Sequence, residues 1–216
     1  MKNLFIFNSD FRLKDNPALY RASHSGDSLD ALFIFNQQKW RDHNESDLKI
    51  AFQIEHLKIL SKELDDLNIP LKIIFADGIK EEAPKIIEYV TSNNIQNVFV
   101  NKEYGLNEIQ RDSDLERDLK KVGVKHHIFD SSIFTPDSIK TQSETFFKVY
   151  TPFSKAFRSK LLTNQIEVLG IPKKQSSKQQ NSDEIPAIDL QPNKKEILDL
   201  YEIGEENALQ KLEQFL

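Results

Sequence analysis

Five short apolar runs, separated by four stretches of helical character, constrain this chain more than any other feature. The runs cover residues 3–8, 31–35, 71–76, 97–101 and 124–129. Apolar runs of this length read as strands buried on both faces. Helical patterns begin near Asn16, Ser46, Lys80 and Leu106. The second is the clearest, with Ile50, Ile54, Leu57, Leu60, Leu64 and Leu67 recurring every three or four residues as a core-facing stripe. Glu45 and Asp47 flank Ser46 at the positive end of that helix. Strand–helix alternation at this spacing calls for parallel pairing with right-handed crossovers. The expected fold is therefore α/β, a Rossmann-like three-layer sandwich around a five-stranded parallel sheet. Ligands of such sheets bind outside the carboxyl ends of the strands. The loops after Asn8, Phe35, Ala76, Asn101 and Phe129 are therefore the ones to read for chemistry.

The first of these loops runs Asn8-Ser9-Asp10-Phe11-Arg12-Leu13-Lys14-Asp15-Asn16-Pro17-Ala18-Leu19. It contains no glycine, and it closes on Asn16-Pro17, an Asx N-cap with proline at the first helical position. The chain has 6 glycines, and the nearest two, Gly105 and Gly123, are 18 residues apart. Neither a dinucleotide fingerprint nor a P-loop can be built from them. There is no cysteine, which removes thiolate chemistry and disulfides, and no pair of the 5 histidines has the HExxH spacing. No metal site is expected. His126 and His127 are neighbours on one strand and should point to opposite faces. The formal net charge of -5 argues against a general nucleic-acid-binding surface. No stretch is apolar enough for a membrane span, and Met1-Lys2-Asn3-Leu4 enters a strand without resembling a signal peptide. A cytoplasmic location is expected.

Two loops carry candidate ligand chemistry. Lys39-Trp40-Arg41-Asp42-His43-Asn44 follows the second strand. It reads either as a polar loop with one Trp covering the core edge, or as a ring-stacking, anion-holding loop. In the second case Lys39 and Arg41 hold carboxylates, with His43 beside them. Asn107-Glu108 opens the helix after the fourth strand. An acidic first turn can simply favour the helix dipole. It can also present a carboxylate that accepts two N–H donors from a pterin-like or purine-like ring edge.

Beyond residue 135 the pattern changes. Residues 136–170 read as a loop followed by a helix from about Pro152 to Leu169. Residues 171–195 read as a Lys/Gln/Ser-rich linker unable to bury enough apolar surface to order itself. Residues 196–216 read as the start of another helical domain, with Leu209, Leu212 and Leu216 as a stripe.

Taken in order, these segments resemble the photolyase/cryptochrome family, specifically its N-terminal antenna domain. Phe7-Asn8-Ser9-Asp10-Phe11-Arg12-Leu13-Lys14-Asp15-Asn16-Pro17-Ala18-Leu19 resembles the family's opening motif, with Asn8 in place of its usual Arg and Phe11 in place of its usual Leu. The likeness continues through residues 39–44, through Asn101-Lys102-Glu103-Tyr104 and Asn107-Glu108 to Arg111-Asp112, and ends at Lys148-Val149-Tyr150-Thr151-Pro152-Phe153. It implies the N-terminal part of a light-driven enzyme that splits pyrimidine dimers in DNA, or of a cryptochrome-type photoreceptor. It also implies an antenna chromophore, methenyltetrahydrofolate, touched by His43, Asn107 and Glu108, with deazaflavin and FMN as the family's other antennae. Glu108 would take the pterin N–H groups. Lys39 and Arg41 are candidate partners of the folate's carboxylates. FAD, catalysis and the grip on damaged DNA would belong to a C-terminal helical domain, so no catalytic residue is expected within this chain, and alone it should be inactive. Without that domain, aromatic residues around Phe146, Phe147, Tyr150, Phe153 and Phe157 should be partly exposed and favour a homodimer. A stand-alone nucleotide-binding module is the alternative from another functional class.

Overall fold

The pleat of the first strand sets up two cores. In the computed structural model, which describes residues 1–216 with the side chain of Pro136 left aside, β1 spans Lys2–Phe7. Its Phe5 and Phe7 point to one face, and Leu4 and Ile6 to the other. β2 (Ser28–Phe35) repeats the alternation: Ala31, Phe33 and Phe35 join the first core, and Leu32 the second. β3 (Leu71–Phe75), β4 (Asn97–Asn101) and β5 (Lys125–Phe129) complete a sheet ordered β3-β2-β1-β4-β5. All four pairings are parallel. The first core is closed by α1 (Pro17–His24) and α3 (Asp47–Asp66), with Ile50, Ile54, Leu57, Leu60 and Leu64 of α3 facing inward. The second is closed by α4 (Ile79–Ser92) and α5 (Leu106–Lys121) through Ala83, Ile86, Val90, Leu115 and Leu119. Helices on both faces of a five-stranded parallel sheet make the expected three-layer α/β sandwich.

Caps read from sequence are in place. The Asn16 side chain accepts from the Leu19 amide at 3.2 Å with Pro17 in the first turn. Ser46 accepts from the Lys49 amide at 3.2 Å.

Three segments differ from expectation. The loop expected at residues 39–44 begins as a short helix, α2 (Gln37–Asp42), because Asn36 caps it through the Lys39 amide. The helix expected to reach Leu169 is α6 (Tyr150–Thr163) and stops earlier. The chain leaves it to exchange two bonds with Asp15: the Asp15 amide donates to the Leu169 carbonyl, and the Leu169 amide to Asp15 Oδ1, both at 3.0 Å. The polar stretch beginning at residue 171 is not free either. It runs as a strap beside β3, held by hydrogen bonds and by Ile185 and Ile188, which pack against the first core. The Leu71 amide donates to Ser182 Oγ at 2.9 Å, the Ile73 amide to Asp183 Oδ2 at 2.9 Å, and the Gln175 amide to the Leu67 carbonyl at 2.9 Å. The strap thereby pairs a sheet edge that would otherwise be open. It continues into α7 (Pro192–Leu198) and then α8 (Glu205–Phe215), where Leu209, Leu212 and Leu216 are exposed.

Candidate functional site

The order β3-β2-β1-β4-β5 reverses direction between β1 and β4, and a crevice opens at the carboxyl ends of the strands there. One wall of this region is a polar knot tied by the turn after β1. Asn101, the last residue of β4, donates to Asp10 Oδ2 at 2.5 Å and to Asn16 Oδ1 at 2.7 Å, and its Oδ1 accepts from the Ala18 amide at 3.1 Å. Asp10 Oδ1 accepts from the Asn8 amide at 3.0 Å, and the Asn16 amide group donates to the Arg12 carbonyl at 3.1 Å. The Leu13 and Lys14 amides donate to Glu205 at the start of α8, at 2.8 and 3.1 Å. The charged turn is thus a clamp joining β1, α1, β4 and the C-terminal helix.

Next to the clamp lies a cavity of about 180 Å³ lined by Phe7, Phe11 and Phe33 below and by Lys39, Trp40, His43, Glu82, Glu103, Glu108 and Arg111 around it. Buried Asn36, just past β2, fixes its geometry. Asn36 Oδ1 accepts from the Lys39 and Gly78 amides at 2.9 and 3.1 Å, and its amide group donates to Glu82 Oε1 at 2.8 Å. The short α2 then carries Lys39 and Trp40 to the cavity and ends at His43. The Trp40 ring meets Phe35 edge-on at 4.9 Å. Opposite, α5 starts after Gly105 and brings Asn107 and Glu108 in its first turn.

The two elements meet. Asn107 Nδ2 approaches His43 Nε2 at 3.5 Å, and Lys39 Nζ lies 3.4 Å from Glu108 Oε1. Burial pushes the Glu108 carboxyl up, but its own backbone N–H, Lys39 and Arg111 outweigh that, and it lies below its ordinary range. Glu108 folds back over Gly105, where an added Cβ would collide with its Oε2. The φ of -70° at Gly105 suits any residue, so what a side chain there would displace is only the movable end of Glu108.

Arg111 lies under the cavity, almost fully buried. Its Nη2 donates to Asp112 Oδ1 at 2.7 Å, while Nη1 stands 3.3 Å from Glu103 Oε2 and 3.8 Å from Glu82 Oε2. Glu103 Oε1 accepts from Ser9 Oγ at 2.8 Å.

Of the five residues expected at a ligand site, the structure brings together Lys39, His43, Asn107 and Glu108. It does not bring Arg41, whose guanidinium holds Gln38 Oε1 at 3.0 and 2.9 Å and lines a separate cavity with Asp47 and Ile188. The Lys39 ammonium, expected to meet ligand carboxylates, lies beside Glu108 in this structure. Sequence reasoning missed Asn36, Glu82, Glu103 and Arg111 as site-forming residues. A signal existed for Arg111 and Asp112, which share the buried stripe of α5 with Leu115 and Leu119. His126 and His127 do take opposite faces. His127 stacks on Phe99 at 4.6 Å and approaches Asn97 Oδ1 at 3.2 Å, while both ring nitrogens of His126 are buried without a partner. Among the described residues no group of three His, Cys, Asp or Glu is arranged to hold a metal ion, and no helix is long and apolar enough to cross a membrane.

A family model described as DNA photolyase matches residues 3–173. A deoxyribodipyrimidine photo-lyase of Buchnera aphidicola is 30% identical over 219 residues, covering 99% of this chain and 44% of that protein. Its counterpart in Escherichia coli is 31% identical over 176 residues, covering 81% of this chain and 37% of the relative. The chain thus spans less than half the length of these curated relatives. Among solved structures, a class III photolyase from Agrobacterium tumefaciens superposes with a TM-score of 0.82 at 21% identity, covering 99% of this chain and 44% of that one.

Proposed function

We propose, for a chain that belongs to the DNA photolyase family, that the crevice between α2 and α5 holds the antenna chromophore, methenyltetrahydrofolate, and that the chain is the light-harvesting part of a deoxyribodipyrimidine photo-lyase. One observation carries this reading. Residues from two elements far apart in sequence, Lys39 and His43 on one side and Asn107 and Glu108 on the other, converge at the strand ends.

The donor set suits a pterin edge. A carboxylate held below its ordinary range accepts N–H donors and stays ionised at neutral pH. Lys39 orients that carboxylate and keeps it charged. Asn107 and His43 add a donor and a second polar contact at the exposed mouth. The volume of about 180 Å³ falls below the roughly 300–1,000 Å³ of sites that enclose a drug-sized molecule. It admits a ring, and the benzoyl-glutamate tail would leave through the mouth. When bound, the folate would supply near-ultraviolet absorption and pass excitation to FAD. We assign FAD, dimer splitting and the grip on damaged DNA to the helical part of the longer relatives. The aromatic segment with exposed Phe146 and Tyr150 is then the surface on which that helical part docks. Photo-lyases at 30% identity and above favour the repair enzyme over a cryptochrome-type receptor.

The test is a titration with methenyltetrahydrofolate, followed by the near-ultraviolet band and by emission from Trp40. A shifted band that disappears in Glu108→Ala supports the proposal. No shift at saturating folate removes it.

A further inference from the structure

The charges around the crevice do not balance, and their imbalance specifies the ligand further. Glu45, Glu82, Glu103 and Glu108 line the cavity against Lys39, Lys49 and Arg111. Lys49 pairs with Glu45 at 2.5 Å, Lys39 with Glu108 at 3.4 Å, and Arg111 with Asp112 at 2.7 Å. Glu82 and Glu103 are left to share the outer nitrogen of Arg111, at 3.8 and 3.3 Å. The wall itself therefore carries four carboxylates against three cations, a formal surplus of one negative charge, and Asp112 behind it takes part of Arg111 as well. Oε2 of Glu103 is shut off from solvent and accepts no hydrogen bond. Apolar Phe7, Phe11 and Phe33 form part of the same lining.

We infer that this crevice selects a ring carrying delocalised positive charge over a neutral or anionic ring of the same shape, and that Glu103 is the residue that sets the preference. The inference rests on the antenna reading and names the charge class of its ligand. Glu103 acts through its field, since its buried oxygen is not offered to the cavity as a contact. Glu82 carries the same charge but is tied into the scaffold, because its Oε1 holds the Asn36 amide that positions α2. Glu103 holds the Ser9 hydroxyl and shares Arg111, which Asp112 and Glu82 still hold once the Glu103 charge is removed. A ring with a phosphate-bearing arm is disfavoured by the same surplus.

The chain supplies its own reporter, since Trp40 is its 1 tryptophan and lines the cavity. Wild type and Glu103→Gln are titrated with two matched pairs while Trp40 emission is read. The first pair is methenyltetrahydrofolate, a cation, and 5-formyltetrahydrofolate, which keeps the pterin and tail without that charge. The second is 1-methylquinolinium and quinoline, which have no folate features. Wild type should prefer the cation in both pairs, and Glu103→Gln should cut that preference about tenfold while leaving the neutral members nearly unchanged. A cation preference that survives the substitution, or equal losses for charged and neutral members, overturns the inference. If neither folate binds but the quinolinium preference is present and falls in the variant, the inference stands and the antenna reading fails. If both folates bind with a ratio indifferent to Glu103, the antenna reading stands and the inference fails.

Discussion

Asn101 ends β4 and Glu108 sits in the first turn of the next helix, yet their polar surroundings follow different rules. Around Asn101 every donor finds an acceptor: both of its amide bonds go to Asp10 and Asn16, and its oxygen takes the Ala18 amide. Around Glu108 and Glu103 the accounting stays open, with carboxylates outnumbering cations and one buried oxygen, ion-paired with Arg111, accepting no hydrogen bond. Saturated polar clusters rigidify a fold because an unmade buried bond is costly. A cluster with spare acceptor capacity costs stability and is useful only when something arrives to complete it. The turn that carries the family's opening motif is structural by this measure, and the less conspicuous α2–α5 crevice is the proposed ligand site.

The contrast breaks most visibly at Asn101. Asn101→Ala strands Asp10, Asn16 and the Ala18 amide, and should cost about 2–4 kcal/mol in denaturant unfolding. A loss under 1 kcal/mol would show the knot is not the clamp described. Glu108→Ala should do the reverse. It should weaken methenyltetrahydrofolate binding at least tenfold, on the order of 1.4 kcal/mol, while unfolding changes by under about 1 kcal/mol, the usual worth of a first-turn carboxylate.

Gly105→Ala sharpens the division. The backbone there tolerates alanine, and only the Glu108 carboxylate must move. Binding should fall about fivefold with stability nearly unchanged, roughly 1 kcal/mol read entirely in the titration. A large stability loss with intact binding would contradict the account of Gly105.

The smallest effect is in pH. Burial lowers His126, against opposing pulls from Asp112 and Glu116, and also lowers His56 and His127. The unfolded chain therefore takes up protons first as pH falls through about 6.5, and stability should decline between roughly pH 7 and 5.5. His126→Phe should flatten that decline. Folate binding should hold through this window and be lost only in the carboxylate range, because Glu108 stays ionised.

The strands and the stripe of α3 were legible because period-2 and period-3.6 patterns are local. The meeting of the 39–44 segment with Asn107 and Glu108 was legible only as family resemblance and as loops at strand ends. α2 escaped because six polar-rich residues carry no apolar period; its only mark is Asn36, an Asx cap like Asn16. The strap escaped because its order comes from hydrogen bonds of Ser182 and Asp183 to the β3 edge and from two isolated apolar residues, Ile185 and Ile188, none of which stands out in a polar stretch. Arg111, Glu82 and Glu103 escaped because single charges read as surface until three elements bring them together.

The most direct test of the crevice as the ligand site is one titration of methenyltetrahydrofolate into wild type, Glu108→Ala and Asn101→Ala, read by Trp40 emission at a temperature where all three are folded. The account predicts saturable quenching in wild type and in Asn101→Ala, and none in Glu108→Ala. Equal quenching in wild type and Glu108→Ala would contradict it.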